Sequence, residues 1–507
     1  MSSQSPAAPD AVPGLFRQAM LLATVTFVTM LYAMTVTIAN VSLPQMQGSL
    51  STTPDQIAWI VTFNIIATAV VTPVAGWLSV RFGRRRLMIW GIVGFGVASV
   101  LCGLAGSVAE LVVYRIAQGA FGAPLVPLCQ AIIIEEFDEK VRTRVMSIWG
   151  TGVIMGPIIA PAIGGVLSEA YSWRYVFFML VPFTAVALAG VLIFIKKRTA
   201  DAATPRLDWT GFLALAVAIT AMQLTLDRGE RAGWFASDEI LIYAGTALAA
   251  LWVFVIRNSQ SSNPFLNTAL LRDRNFVVGL ILIFIFGMLN FTPITLLPTL
   301  LQRVQGYPDS IIGQILSARG AGTFIGFAAL VFLGRLDPRI PMAAGLVLQA
   351  WSGWMMSGFN ASVSTQDVLW ASAIQGLGVG LVWVPLSIVT FATLQKHLVP
   401  DGTAIFHLLR NLGSSIFISV SIALVIRQTK ISYAELVPHI SPFAEALRMP
   451  GVEALLELDT PEGLAQLAAE AGRQATMIGY IDGFAMFAIV AAAAIPLVAL
   501  VRTHAPT

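Results

Sequence analysis

Three arginines stand inside long apolar runs of this chain, and each is costly enough in hydrocarbon to need a chemical reason. Arg115 has Gln118 and Gly122 at i+3 and i+7, on one helical face. Arg319 lies in SARGAGTF beside Gly320, Gly322 and Gly326, a pattern that favours close helix packing. His407, Arg410, Asn411 and Ser414 make a polar stripe at i, i+3, i+4 and i+7. A guanidinium does not readily discharge, so each must meet a cavity, a carbonyl or an anionic partner. If all three line one space, that space is electropositive and suits anionic or zwitterionic amphiphiles. The plainer alternatives are that Arg115 tethers helices and that the His407 stripe seals a helix contact.

Groups able to carry a proton are scarce. Glu135 and Asp227 close two apolar runs, and His407 is the third candidate. Asp227 precedes Arg228, so a salt bridge at a helix end is its ordinary role. The four histidines are scattered and no zinc-ligand spacing occurs, so no metal or cofactor is expected. No His–Asp or other catalytic pair is present, which argues against a membrane-embedded enzyme. Cys102 and Cys129 both fall in apolar runs and read as small buried hydrophobes.

Composition shows what must position these residues. The 507 residues are 57% hydrophobic and only 11% charged, against roughly 25% charged in soluble proteins. Apolar runs of bilayer-crossing length recur at 18–39, 57–80, 87–106, 111–134, 145–167, 173–195, 209–226, 239–256, 275–301, 310–333, 340–358, 367–393, 403–426 and 479–502. The fold class expected is therefore an all-α polytopic membrane protein with fourteen spans. A net charge of +3 gives no case for nucleic acid as a partner; the lipid bilayer is the first partner.

Lysine and arginine sort the loops into two sides. One set holds Arg81, Arg84, Arg85 and Arg86; Lys140, Arg142 and Arg144; Lys196, Lys197, Arg198 and Arg206; Arg257, Arg272 and Arg274; then Arg335, Arg339 and Lys396. The short loops 40–56, 107–110 and 359–366 have neither residue. The basic loops and both termini are expected to face the cytoplasm. Residues 1–17 read as a cytoplasmic tail, as do 503–507. Residues 427–478 read as a long external loop carrying short amphipathic helices.

The fifth span contains WGTGVIMGPIIAPAIGG, residues 149–165. Gly152 and Gly156 stack on one face, and Pro157 and Pro161 should bend the helix before Gly164. Internal repetition is visible too. YRIAQGAFGAPLVPL at 114–128 is echoed by AIQGLGVGLVWVPL at 373–386, and GWLSVRFGRRR at 76–86 by FLGRLDPRI at 332–340. Two related helical halves, as in many secondary transporters, explain this most simply. Trp59, Phe63, Phe284, Phe286, Phe291 and Trp383 are the aromatic candidates for an apolar pocket.

These segments together resemble the fourteen-helix drug:proton antiporter branch of the major facilitator superfamily (EmrB/QacA-like). The glycine–proline run is similar to its fifth-helix antiporter motif, and GWLSVRFGRRR to its loop motif, with Gly76, Gly83 and Arg84 matched. TIANVSLPQMQGSL at 37–50, RIAQGAFGAPLVPL and LDRG at 226–229 resemble three further family segments. Arg115 matches the fourth-helix arginine. The resemblance implies a six-helix bundle at 18–195, two extra helices in 196–256, and a second bundle at 257–502 around a central cavity. It implies export of lipophilic or amphipathic small molecules across the inner membrane, usually against a proton flow. It also implies, as partners, a periplasmic adaptor and an outer-membrane channel.

Two departures from the family pattern matter. The first helix lacks the usual aspartate and has Thr35 there, with no acid between Met20 and Pro54. The loop motif has Val80, not aspartate, before Arg81. A cytoplasmic charge relay is therefore expected to use Arg81 to Arg86 with Glu136, Asp138 or Glu139. The rival within transport is an exporter of one lipid, siderophore or anionic metabolite, working without protons.

Overall fold

The structure is a computed structural model that describes residues 15–52, 54–196, 207–261, 265–307, 309–333, 336–439 and 460–502. Most of both tails, the linker residues 197–206 and the segment 440–459 lie outside the described residues.

Among the described residues fourteen long helical units follow one another. They are α1 (Leu15–Val41), α2 (Pro54–Val71, continued through Thr72–Val74 into Ala75–Phe82), α3 (Arg84–Leu104), α4 (Val108–Gly122 and Leu125–Glu136) and α5 (Glu139–Ala170). Then come α6 (Arg174–Phe178 and Leu180–Phe194), α7 (Trp209–Ala232), α8 (Asp238–Gln260), α9 (Arg274–Gln305) and α10 (Asp309–Leu333). The last are α11 (Arg339–Ser357), α12 (Thr365–Ala392), α13 (Val399–Leu436) and α14 (Pro461–Ala494, ending in Ile495–Leu500). By length and composition twelve of these qualify as membrane spans, all but α5 and α11. Helix is the form an apolar run of this length takes in lipid, because it satisfies its own backbone.

The ends are set locally. Ser107, Asp208, Asp273, Ser364 and Thr460 each accept a backbone N–H from the first turn of the helix they precede, at α4, α7, α9, α12 and α14. Between α2 and α3 the chain turns at Gly83 with φ 83°, a left-handed value that glycine alone adopts at no steric cost. Pro157 does not interrupt α5, which stays helical from Glu139 to Ala170.

Packing repeats itself in the two halves. In the first, α1 lies on α5 and α6, α2 on α4, and α3 on α4 and α6; in the second, α9 lies on α13 and α14, α10 on α12, and α11 on α12 and α14. Glycines make the closest approaches. A methyl on Gly156 of α5 would meet the Met30 carbonyl of α1, and one on Gly413 of α13 would meet the Phe284 carbonyl of α9. Lipid offers helices no hydrophobic gain on association, so small residues that let backbones touch supply the dispersion contact instead. The halves meet through α5 on α10 and through α2 and α4 on α13. Helix α7 leans on α2 and α13, while α8 packs mainly on α7 and leaves Leu248 and Trp252 exposed, 69% and 68%, as suits a lipid-facing helix.

One sequence expectation is corrected here. The segment 427–478 is not simply an external loop: α13 runs on to Leu436 and α14 already begins at Pro461. Hydropathy detects where lipid ends, whereas a helix continues as long as its residues favour it, and Ala, Gln and Glu do. Of the short helices expected there, the stretch 463–474 is helical but forms the start of α14, and 440–459 fall outside the described residues.

Candidate transport site

Arg115 sits on the first part of α4 and is 1% exposed. Its Nε donates to the Ile60 carbonyl of α2 at 3.1 Å and its Nη1 to Oε1 of Gln118 at 2.7 Å. Gln118 in turn donates from Nε2 to Ser99 of α3 at 2.8 Å, and Asn64 of α2 donates to the Arg115 carbonyl at 2.8 Å. The guanidinium lies 5.9 Å from the ring of Phe177. This arginine joins α2, α3 and α4 inside the first half and opens onto no wall.

Arg319, half-buried on α10, has the corresponding arrangement in the second half. Its Nε donates to Oε1 of Gln375 on α12 at 2.6 Å, and its Nη2 to the carbonyl and side-chain oxygens of Asn290 on α9 at 3.0 and 2.7 Å. Gln118 and Gln375 are the two glutamines of the repeated Gln-Gly motif. Each holds an arginine, but one arginine comes from the same helix and the other from a neighbour.

Arg410 is different. It is half-buried on α13, with Nε and Nη2 both directed at Oδ1 of Asn411, at 3.3 and 3.0 Å. Its guanidinium carbon stands 5.4 Å from the ring centre of Trp383, which also stacks near Phe286, Phe406 and His407. Arg115 and Arg319 thus make their hydrogen bonds each within one half, and Arg410 stands beside the seam between the halves.

His407, one turn earlier, crosses that seam. Its Nε2 lies 2.5 Å from Oε1 of Gln130 on α4. Two further crossings flank it. A methyl on Gly76 of α2 would collide with the carboxylate of Asp401 at the start of α13, and one on Gly150 of α5 would touch the Phe327 ring of α10. All three crossings lie toward the end that carries the basic loops.

At that same end Arg84 offers its fork to Glu135, with Nη1 and Nη2 at 2.5 and 2.6 Å from the two carboxylate oxygens. The acid that meets Arg84 is Glu135, which the last turn of α4 brings back over the start of α3; of the acids expected in the relay, the Glu139 side chain lies outside the described residues. The role expected of Asp227 is corrected. It is exposed and accepts from Thr62 of α2 at 2.9 Å, whereas Arg228 pairs with Glu239 of α8 at 2.7 Å.

In α5, Gly152 and Gly156 lie against Thr26 and Met30 of α1, and a methyl added to Gly164 would stand 3.1 Å from Ile38. These glycines pack α5 onto α1. Of the aromatic candidates, Phe286 and Trp383 pair at 5.3 Å, while Trp59 is 37% exposed. Thr35 is buried and donates to the Leu31 carbonyl one turn back. Asn64, Gln130, Asn290 and Asp401 escaped sequence reasoning; a lone amide in an apolar run is the signal that marks Asn64, Gln130 and Asn290.

The family model for the Major Facilitator Superfamily matches residues 25–418. This chain belongs to the major facilitator superfamily. Over 410 residues it is 30% identical to the multidrug export protein EmrB of Escherichia coli K12, covering 80% of each chain. Over 415 residues it is 31% identical to the fatty acid resistance protein FarB of Neisseria gonorrhoeae, covering 81% of each. These relatives place it in the EmrB-like multidrug efflux branch of the superfamily. Two solved structures share the fold: the human organic anion transporter MFSD10, at TM-score 0.58 and 13% identity, spans 94% of this chain and 100% of its own. The proton:xylose symporter XylE, at 0.60 and 13%, spans 93% and 94%.

Proposed function

We propose that this superfamily member exports lipophilic and amphipathic small molecules across a bacterial inner membrane by alternating access, in exchange for protons. The observation that carries the reading is the grouping of seam contacts at one end: Gln130 with His407, Gly76 with Asp401, and Gly150 with Phe327. Two matching halves that touch at one end can rock about the space between them, which is what alternating access requires. The basic loops assign that closed end to the cytoplasm, with both termini on the same side. The transported molecule would then enter or leave beside Arg410 and Trp383.

The bundles are taken as 18–195 and 257–502, with α7 and α8 in the linker 196–256. Proton exchange needs a group that changes its exposure as the halves rock. Glu135 and His407 both sit at the closed end, where opening would admit water to them, and Asp227 is at the other end. A periplasmic adaptor and an outer-membrane channel would complete the route, as the family resemblance implies.

Purified protein in proteoliposomes tests the reading. Efflux of an amphipathic dye should rise when a pH gradient is imposed and fall when an ionophore collapses it. Gradient-independent flux would favour the second reading, an exporter of one anionic metabolite without protons, which Thr35 in place of a first-helix acid supports. Flux of no amphiphile under any gradient would refute both.

A further inference from the structure

We propose that Arg410 is the docking point for the carboxylate of an amphiphilic anion, whose apolar part lies against Trp383. The inference deepens the exporter reading above and rests on it for the location of the path.

The three guanidinium groups differ in what already compensates them. Arg115 is engaged by a backbone carbonyl and Gln118, and Arg319 by Gln375 and both oxygens of Asn290. Arg410 leans two of its nitrogens on one neutral oxygen, Oδ1 of the neighbouring Asn411, and Nη1 bonds to nothing among the described residues. No carboxylate pairs with it there. A cation at membrane depth with one amide oxygen for company is incompletely compensated, and an anion from outside the chain is what such a group lacks.

Geometry narrows the anion. The Nε–Nη2 edge of the fork is occupied by Asn411, so the end-on Nη1–Nη2 edge is the one free to bind. Two parallel N–H bonds on that edge match a carboxylate, which is planar and carries one negative charge. A phosphate monoester would bring a second charge with no cation left to balance it. Asn411 uses its oxygen on Arg410, so its amide N–H pair is a further donor nearby. Trp383, 8% exposed, covers one side of the guanidinium and is the ring an apolar group would meet, with Phe286 at 5.3 Å and Phe406 at 5.9 Å buried behind it. Arg410 follows His407 by three residues on the same helical face, and the His407 ring reaches Gln130 of the other half, which puts the site beside the seam.

The test uses full-length protein in detergent and three probes of one chain length: dodecanoate, dodecanamide and dodecylamine. Binding is followed by tryptophan fluorescence quenching, which needs no transport. The wild type should bind dodecanoate at least 10-fold more tightly than the amide or the amine. Arg410→Gln should weaken dodecanoate binding at least 10-fold and amide binding less than 3-fold, while Arg410→Lys, which keeps the charge but not the fork, should fall between. An R410Q protein that binds dodecanoate like the wild type overturns the proposal, as does a wild type that prefers the amine. Arg410-dependent binding in a protein that transports nothing would leave the docking point standing and refute the exporter reading alone.

Discussion

The imidazole Nε2 of His407 lies 2.5 Å from Oε1 of Gln130, and the two side chains come from opposite halves of the chain. An amide oxygen can only accept, so the ring carries its proton on Nε2 and donates it across the seam. Nδ1 of His407 and Nε2 of Gln130 are buried with no hydrogen-bond partner among the described residues. If the halves rock as proposed, this bond acts as a latch, and its two unmet polar atoms would gain water when the seam opens. Closure keeps one hydrogen bond at the expense of two others, an arrangement suited to a contact that must break in every cycle.

Removing that latch should shift the halves apart at the basic end. His407→Ala and Gln130→Ala are each expected to lower transport about 3- to 10-fold. Combined, they should be no worse than either alone, since they share one bond worth on the order of 1 kcal/mol. Initial efflux rates of the two single variants and the double variant check this. Additive losses would mean that the residues act separately.

Arg84 and Glu135 form a two-pronged pair at the same end, half-exposed on the arginine side. Lysine cannot reproduce the fork. Arg84→Lys should therefore restore less than half of the activity lost in Arg84→Gln, and Glu135→Gln should resemble Arg84→Gln. Transport measured across the three variants at equal membrane expression decides the matter.

Glycine packing gives a stability prediction. Gly156 faces the backbone of α1 at Met30 and Met34, while Gly313 has nothing within 4 Å of an added methyl. Gly156→Ala should destabilise by about 1–3 kcal/mol through overpacking, unless α1 and α5 separate. Gly313→Ala should be neutral or slightly stabilising, because alanine favours helix more than glycine does. Melting temperatures in one detergent compare them.

Asp208 caps α7 and anchors the α7–α8 hairpin. Burial pushes its carboxyl up, but donors from Thr210, the Gly211 N–H and Arg257 outweigh that and hold it below the ordinary aspartate value. The sign follows directly. A depressed folded-state value means that its contribution is complete above the unfolded value of about 3.9 and is lost as pH falls through the lower folded one. Asp208→Ala should cost about 0.5–2 kcal/mol at neutral pH, as for other N-caps. The gap from wild type should close below about pH 3.9, as followed by thermal melts across pH.

What could be read from the residues depended on range. The fourteen spans were legible because a 20-residue apolar run has one stable form in lipid. The Arg115–Gln118 bond was legible because i+3 neighbours share a helix face. The Arg319–Gln375 bond joins residues 56 apart on different helices, and Arg84–Glu135 joins residues 51 apart. No periodicity reports such pairs, although the repeated Gln-Gly motif had marked Gln375. The seam itself, with His407 on Gln130 and Gly76 on Asp401, is a property of how two halves meet, which no local pattern encodes.

The central claim is that the two halves rock, closing and opening the basic end. Spin labels at Arg144 on α5 and Phe332 on α10, both exposed near that end, report its width directly. Pulsed dipolar spectroscopy should show two distance populations, with the longer one gaining when His407→Ala removes the latch. A single distance that neither the substitution nor any amphiphile shifts would contradict the account.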